Sequence, residues 1–144
     1  MFAQNQYSVF DRTTKAEVDS GCCLDGKRSG FTIAASVTLP MFATDKVSDM
    51  ECWLAVFGGG SQDDEDISIK TVGKMEIIKG RNEWVMDDDM PYARVQSDAV
   101  IQPNGKILIF NGARHGRTGG GTGNPIQYGT AADTFLYDPE APKG

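Results

Sequence analysis

The stretch from Met90 to Ala113 constrains the fold more than any other. Two apolar runs, Ala99-Val100-Ile101 and Ile107-Leu108-Ile109-Phe110, flank Pro103-Asn104-Gly105. Asn-Gly between hydrophobic runs signals a hairpin because both residues accept positive φ, so the two runs are expected to pair as antiparallel strands. Each run is continuous rather than alternating. For strands this short, that predicts burial on both faces, as inside stacked sheets.

Further strands follow by β-propensity. Gln6 to Phe10 is one, closed by the polar turn Asp11 to Lys15. Residues 16–30 contain Gly21, Asp25-Gly26 and Gly30 and read as a loop with a short edge strand near Glu17-Val18. Phe31 to Leu39 is a β-rich run ended by Pro40, which cannot donate to a ladder. Cys52 to Phe57 is stopped by Gly58-Gly59-Gly60, and Ile67 to Ile78 reads as one long strand bulged at Gly73. Glu83 to Met86 is an outer strand, Ala113 to Gln127 a loop, and Thr134 to Tyr137 the last strand.

The two halves repeat. Phe31 to Gly60 runs strand, loop, strand, glycines; Gln96 to Gly112 runs strand, turn, strand, Asn-Gly. A four-strand unit recurring about every 50 to 65 residues points to stacked or radially arranged blades. The expected fold is all-β: a partial kelch-type β-propeller of about two and a half four-stranded antiparallel blades. Residues 1–30 would supply the end of one blade and a loop, residues 31–89 one blade and residues 90–144 the start of the next. Small glycines would let the chain turn at the crowded end of a blade, and Trp84 would cover a blade-to-blade contact. A plain β-sandwich is the competing architecture.

Composition narrows the function classes. Glycine, 17 of 144 residues, exceeds its usual share of about 7%, as suits a chain with many tight turns. The net charge of -6, with acidic clusters at Asp63 to Asp66 and Asp87 to Asp89, disfavours nucleic acid and anionic lipid as partners. No apolar run approaches the ~18 residues of a membrane span. The N-terminus MFAQNQYSVFDR lacks the basic, apolar, small-residue order of a signal peptide. Cys22, Cys23 and Cys52 make no zinc pattern. Adjacent Cys22 and Cys23 read as free small hydrophobes, with a vicinal disulfide as the alternative.

Several segments together resemble the glyoxal oxidase-like copper radical oxidases, relatives of galactose oxidase. Met90-Pro91, Arg94-Val95, Asp98, Pro103-Asn104-Gly105, Ile107-Leu108-Ile109, Asn111-Gly112-Ala113 and Gly116 are similar to that family's MPxxRVxxD, LPxG and INGAxxG segment. Asn124-Pro125, Leu136 to Pro142, Phe2 to Asn5, Phe10-Asp11, Ser36 to Pro40 and Glu51 to Gly59 match in order; about Gln62 to Gly80 the match is weak, with Val72-Gly73-Lys74 where the family has Cys-Gly-Arg.

The resemblance implies oxidation of aldehydes or alcohols with reduction of oxygen to hydrogen peroxide. It implies a copper ion held by two His and two Tyr, one Tyr cross-linked to a Cys. It places those ligands outside this chain: the cross-linked pair before residue 1, a Tyr-His pair in an IPRMYHS segment just beyond Gly144, and a His further on. Tyr92-Ala93-Arg94-Val95 stands where another blade carries that pair. The chain is therefore expected to be a fragment or truncated relative supplying scaffold, with no catalytic, cofactor-binding or metal-ligating residue of its own. Its partners would be the remaining blades or another protein. The alternative is a non-catalytic kelch-like interaction module. Family members are usually secreted.

Individual candidates read as structural. His115, the only histidine, has Arg114 and Arg117 as neighbours, which put it in a solvated loop. The run Gly116 to Gly123 lacks the Gly-Lys-Ser/Thr ending of a phosphate cradle. Asp63 to Asp66 lacks the spacing of a calcium loop, and Asp87 to Asp89 reads as a solvated cluster guarding a strand edge. Arg94 and Asp98 read as a structural ion pair or a backbone clamp between blades, with a substrate contact as the alternative.

Overall fold

In the computed structural model, the described residues are 2–3, 6–22, 34–39, 52–60, 68–77, 83–117 and 126–143. They form twelve strands and no helix. β1 (Phe2–Ala3), β2 (Gln6–Phe10) and β3 (Glu17–Cys22) make an antiparallel sheet in chain order. β4 (Ala35–Thr38), β5 (Trp53–Phe57), β6 (Val72–Glu76) and β7 (Trp84–Asp87) make a four-stranded one. β8 (Asp98–Ile101), β9 (Ile107–Phe110) and β12 (Phe135–Tyr137) make a third, and β10 (Ala113–Arg117) with β11 (Ile126–Thr130) is a hairpin inserted between β9 and β12. The result is an open, propeller-like stack of antiparallel sheets.

The expected hairpin is β8–β9, in the register Val100 to Leu108. Its turn differs from the Asn-Gly type expected. Only Gly105 is left-handed, at φ 82°. Asn104 instead accepts the Lys106 N–H on its side chain at 3.1 Å, and the Gly105 N–H donates to the Gln102 carbonyl at 2.9 Å. The side-chain oxygen stabilises a longer turn that needs one left-handed residue rather than two.

Burial on both faces does not hold either. Ile107 and Ile109 are fully buried, Leu108 and Phe110 half-buried, and Val100 is 50% exposed. Ile107 and Ile109, with Ala99, Phe135 and Tyr137 beside them, pack onto Ala35, Leu39, Ala55, Phe57, Val72 and Met90 of the four-stranded sheet and its flanks. The rings of Phe57 and Tyr137 meet edge to face at 5.1 Å. Burying each large apolar side chain here contributes roughly 1.5–3 kcal/mol. β4 lies beside β8, so the two sheets meet along their first strands. No other sheet of described residues covers the far face of β8–β9–β12, and its side chains alternate accordingly.

Other expectations shift at their edges. β3 runs the full length of Glu17–Cys22 rather than as a short edge piece, held against β2 with a register shift between Val9 and Phe10. Gly73 is a regular ladder position opposite Val56 and Met86, with no bulge. It is buried there. The expected loop from Ala113 contains the β10–β11 hairpin. Trp84 makes a sheet-to-sheet contact as expected, meeting Tyr7 edge to face at 6.4 Å.

Candidate functional site

The most constrained region is where a crossing segment passes between two strand-end corners. β5 runs into Gly58-Gly59, at φ 64° and 113°, and β9 into Asn111-Gly112, at φ 60° and 92°. After each corner the returning chain closes in the same way. The Ile69 N–H donates to the Gly59 carbonyl at 2.8 Å, and the Ala131 N–H to the Gly112 carbonyl at 3.1 Å. Arg94-Val95 passes between them. The Gly59 N–H donates to the Arg94 carbonyl at 2.9 Å and the Arg94 N–H to the Ile69 carbonyl at 3.2 Å, while Val95 and Ala113 exchange both backbone bonds at 2.9 and 3.0 Å. A Cβ at Gly58 would overlap the Arg94 carbonyl, and one at Gly112 the Val95 carbonyl. Glycine is thus required on steric and conformational grounds alike.

The Arg94 side chain completes the junction. It is fully buried and donates from Nη1 to the Asn111 carbonyl and from Nη2 to the Asp133 carbonyl, both at 2.7 Å. Its guanidinium lies 4.6 Å over the Phe135 ring. Burial lowers its pKa from the ordinary guanidinium value; Asp133 opposes that and Arg114 adds to it. A planar fork suits carbonyls on two different segments better than an ammonium does. The backbone clamp is present, and the Arg94–Asp98 ion pair is not. Asp98 is exposed and accepts from Asn111 Nδ2 at 2.8 Å, because alternation along β8 turns its carboxylate away from the buried crossing.

Outside the clamp lies an exposed cation–aromatic group. Arg114 sits 4.2 Å over the Tyr92 ring and binds Asp133 Oδ2 at 2.7 Å, while Tyr92 packs on Phe135 at 5.9 Å. Ser68 Oγ donates to the Arg114 carbonyl and ties the two corners together.

On the other side of the sheet contact is a polar group that sequence reading missed. Asp87 accepts from Lys74 Nζ at 2.6 Å and from the Tyr137 hydroxyl, the latter reaching over from β12. Burial acts to raise the Asp87 pKa, but Lys74, Tyr137 and the Asp88 N–H outweigh it and hold the carboxyl below its ordinary value. Burial, followed by the Asp87 hydrogen bond and nearby carboxylates, pushes the Tyr137 phenol well above its ordinary pKa. Asp88 and Asp89 are exposed, as a solvated cluster requires, but Asp87 is not part of one. The signal available was its place as the last residue of an outer strand next to Lys74 on the neighbouring one.

The remaining candidates scatter. His115 is exposed on β10, opposite Tyr128 in the ladder. Gly116 and Arg117 belong to β10, whereas 118–123 and 63–66 lie outside the described residues. Cys22 ends β3, Cys23 lies outside the described residues, and Cys52 is a half-buried thiol. No three His, Cys, Asp or Glu side chains converge as metal ligands among the described residues.

The family described as glyoxal oxidase N-terminus matches residues 1–144. The chain belongs to the glyoxal oxidase N-terminus family. Within it, the chain is similar to aldehyde oxidase GLOX1 of Arabidopsis thaliana, 35% identical over 79 residues, which is 55% of this chain and 12% of the relative. It is also similar to aldehyde oxidase GLOX of Vitis pseudoreticulata, 27% identical over 147 residues, covering 100% of this chain and 27% of the relative. The chain therefore spans about an eighth to a quarter of the length of these aldehyde oxidase relatives. The copper site implied by the resemblance does not fit the residues present, since one histidine cannot furnish two imidazole ligands.

Proposed function

We propose that this chain is a scaffold section of a copper radical oxidase, built of kelch-type propeller blades. The full-length protein would oxidise aldehydes or alcohols and reduce oxygen to hydrogen peroxide. The observation that carries the reading is the coincidence of two sets of residues. Met90, Arg94, Asn111, Gly112 and Ala113, which carry the resemblance, are also the residues of the junction between sheets. Family likeness that includes the residues of a buried clamp supports a framework role. A lone histidine, itself exposed, supports the same view.

In this reading, copper and its ligands come from sequence outside residues 1–144. This chain contributes the rigid spacing of two blades. The test is a copper titration with a peroxide-coupled assay on glyoxal and methylglyoxal, run on the 144-residue chain and on the product of its extended gene. Turnover only in a longer product that carries a Tyr-His pair is expected. Turnover by the 144-residue chain would overturn the scaffold assignment.

A second reading is favoured by the exposed Tyr92–Arg114 stack beside the crossing loops: a kelch-like module that binds another protein through that end. A gene that stops at Gly144, with a product that takes up no copper, would favour it.

A further inference from the structure

The two corners are repeats of one another, but among the described residues only the first holds a crossing segment between its two arms. Aligning Gly58-Gly59 with Asn111-Gly112 places Ile69 over Ala131 and Lys70 over Ala132, since the Ile69 N–H donates to the Gly59 carbonyl as the Ala131 N–H does to that of Gly112. In the first corner, an extended segment of this chain occupies the space between the arms. The Gly59 N–H donates to the Arg94 carbonyl, the Arg94 N–H to the Ile69 carbonyl and the Met90 N–H to the Lys70 carbonyl at 2.8 Å. The Met90 side chain is buried with Ala55 and Phe57 beneath it.

In the second corner the equivalent groups are the Gly112 N–H and the carbonyls of Ala131 and Ala132. Among the described residues none of these has a hydrogen-bond partner. Leu108 and Phe110 take the places of Ala55 and Phe57, and an open cavity lies there, lined by Leu108, Phe110, Gly112, Thr130, Ala131 and Ala132. A backbone donor and acceptors left open over an apolar floor are the requirements for pairing an extended peptide.

We infer that the corner at Gly112 and Ala131 is a slot for an extended polypeptide segment that opens with an apolar residue and proline, read through its backbone as Met90 to Arg94 is read at Gly59 and Ile69. The occupant is the leading segment of a further sheet that continues the repeat, and only this choice of source rests on the scaffold reading above. Its apolar first residue seats over Leu108 and Phe110. Its fifth residue accepts from the Gly112 N–H and donates to the Ala131 carbonyl. That fifth side chain points on to the next unit, as Arg94 does toward Asn111 and Asp133, so the slot itself does not require arginine.

The probe is the capped peptide Met-Pro-Tyr-Ala-Arg-Val-Gln added to the isotope-labelled 144-residue chain, followed through backbone amide shifts. Saturable shifts at Gly112 and Ala132 are expected. Changing the peptide arginine to alanine should alter affinity by less than about threefold, since the slot contact is through the main chain. N-methylation of the arginine amide removes the donor to Ala131 and should weaken binding about tenfold or more. Ala132→Phe, which fills the cavity from an exposed position, should abolish the Gly112 shift while leaving the β4–β7 amides in place.

The inference is overturned if the unmodified peptide moves nothing at Gly112 up to millimolar concentration. It is equally overturned if the N-methylated peptide binds as well, or if Ala132→Phe binds unchanged. None of these readouts involves copper or turnover, so failure here is distinguishable from failure of the oxidase reading.

Discussion

Arg94 and Asn111 are joined by a side-chain-to-backbone bond: Nη1 of Arg94 donates to the Asn111 carbonyl at 2.7 Å, in the bend where β9 leaves its sheet. The same guanidinium holds the Asp133 carbonyl on the segment leading into β12. One side chain thus fixes both ends of the excursion that contains the β10–β11 hairpin. Arg94→Lys retains the charge but not the fork, and an ammonium on a shorter reach satisfies at most one carbonyl. It is expected to cost about 3 kcal/mol, the range for hydrogen bonds to a charged donor lost in a buried site. Asp98→Ala is expected to cost about 1 kcal/mol or less, since it removes one exposed hydrogen bond to Asn111. Urea unfolding of both variants checks the pair; equal losses would restore the Arg94–Asp98 ion pair that the geometry replaces.

Two glycines with similar backbone angles separate steric from conformational need. Gly105 at φ 82° has open space where a Cβ would stand, whereas a Cβ at Gly112, φ 92°, would overlap the Val95 carbonyl. Gly105→Ala should therefore cost only the left-handed penalty of about 1–2 kcal/mol. Gly112→Ala must also displace the crossing backbone and should cost about 3 kcal/mol or more. Thermal unfolding of the two single variants compares them directly, and equal shifts would count against the close-approach account of the corner.

The buried stripe of β9 gives a third expectation. Ile109→Ala removes a fully buried side chain from the contact between sheets and should cost about 2–5 kcal/mol. Val100→Ala, on the exposed face of β8, should cost less than about 1 kcal/mol. If the Val100 change is as costly as the Ile109 change, the far face of the sheet is covered in solution.

Much of this arrangement was legible in the sequence. Asn-Gly between apolar runs marked β8–β9, and the matching glycine corners marked the repeat, because turn chemistry and hydrophobic patterning are local signals. Continuous apolar runs misled on burial, since Leu108 and Val100 are as apolar as Ile109 and only tertiary packing decides which face is covered. The clamp at Arg94 was legible as a need for a partner, though not as to which one. Backbone carbonyls carry no letter in the sequence, so the nearest carboxylate, Asp98, took a place that belongs to Asn111 and Asp133. Asp87 was hidden in a run of three aspartates that differ only in which way the outer strand turns them.

That last residue makes the sheet contact dependent on pH at both ends of the scale. The Asp87 carboxyl is held below its ordinary pKa of 3.8, chiefly by Lys74 and Tyr137 against the opposing effect of burial. A depressed carboxyl stabilises the fold above its unfolded pKa, and that contribution is lost as pH falls through the lower folded value. Tyr137 has the opposite sign. Its folded pKa lies above the ordinary 10.0, so its contribution is complete below pH 10 and fades as the solution becomes more alkaline. Stability measured by urea midpoint across the pH range should therefore fall off on both limbs. Asp87→Asn should flatten the acid limb and lower the plateau between the limbs, because Lys74 loses its charged partner. Tyr137→Phe should flatten the alkaline limb, and it should also weaken the acid one, since the phenol hydroxyl helps to hold Asp87 ionised. If Tyr137→Phe leaves the acid limb untouched, the two groups are not coupled across the sheet contact. The hydrogen bond between β12 and β7 would then not persist in solution.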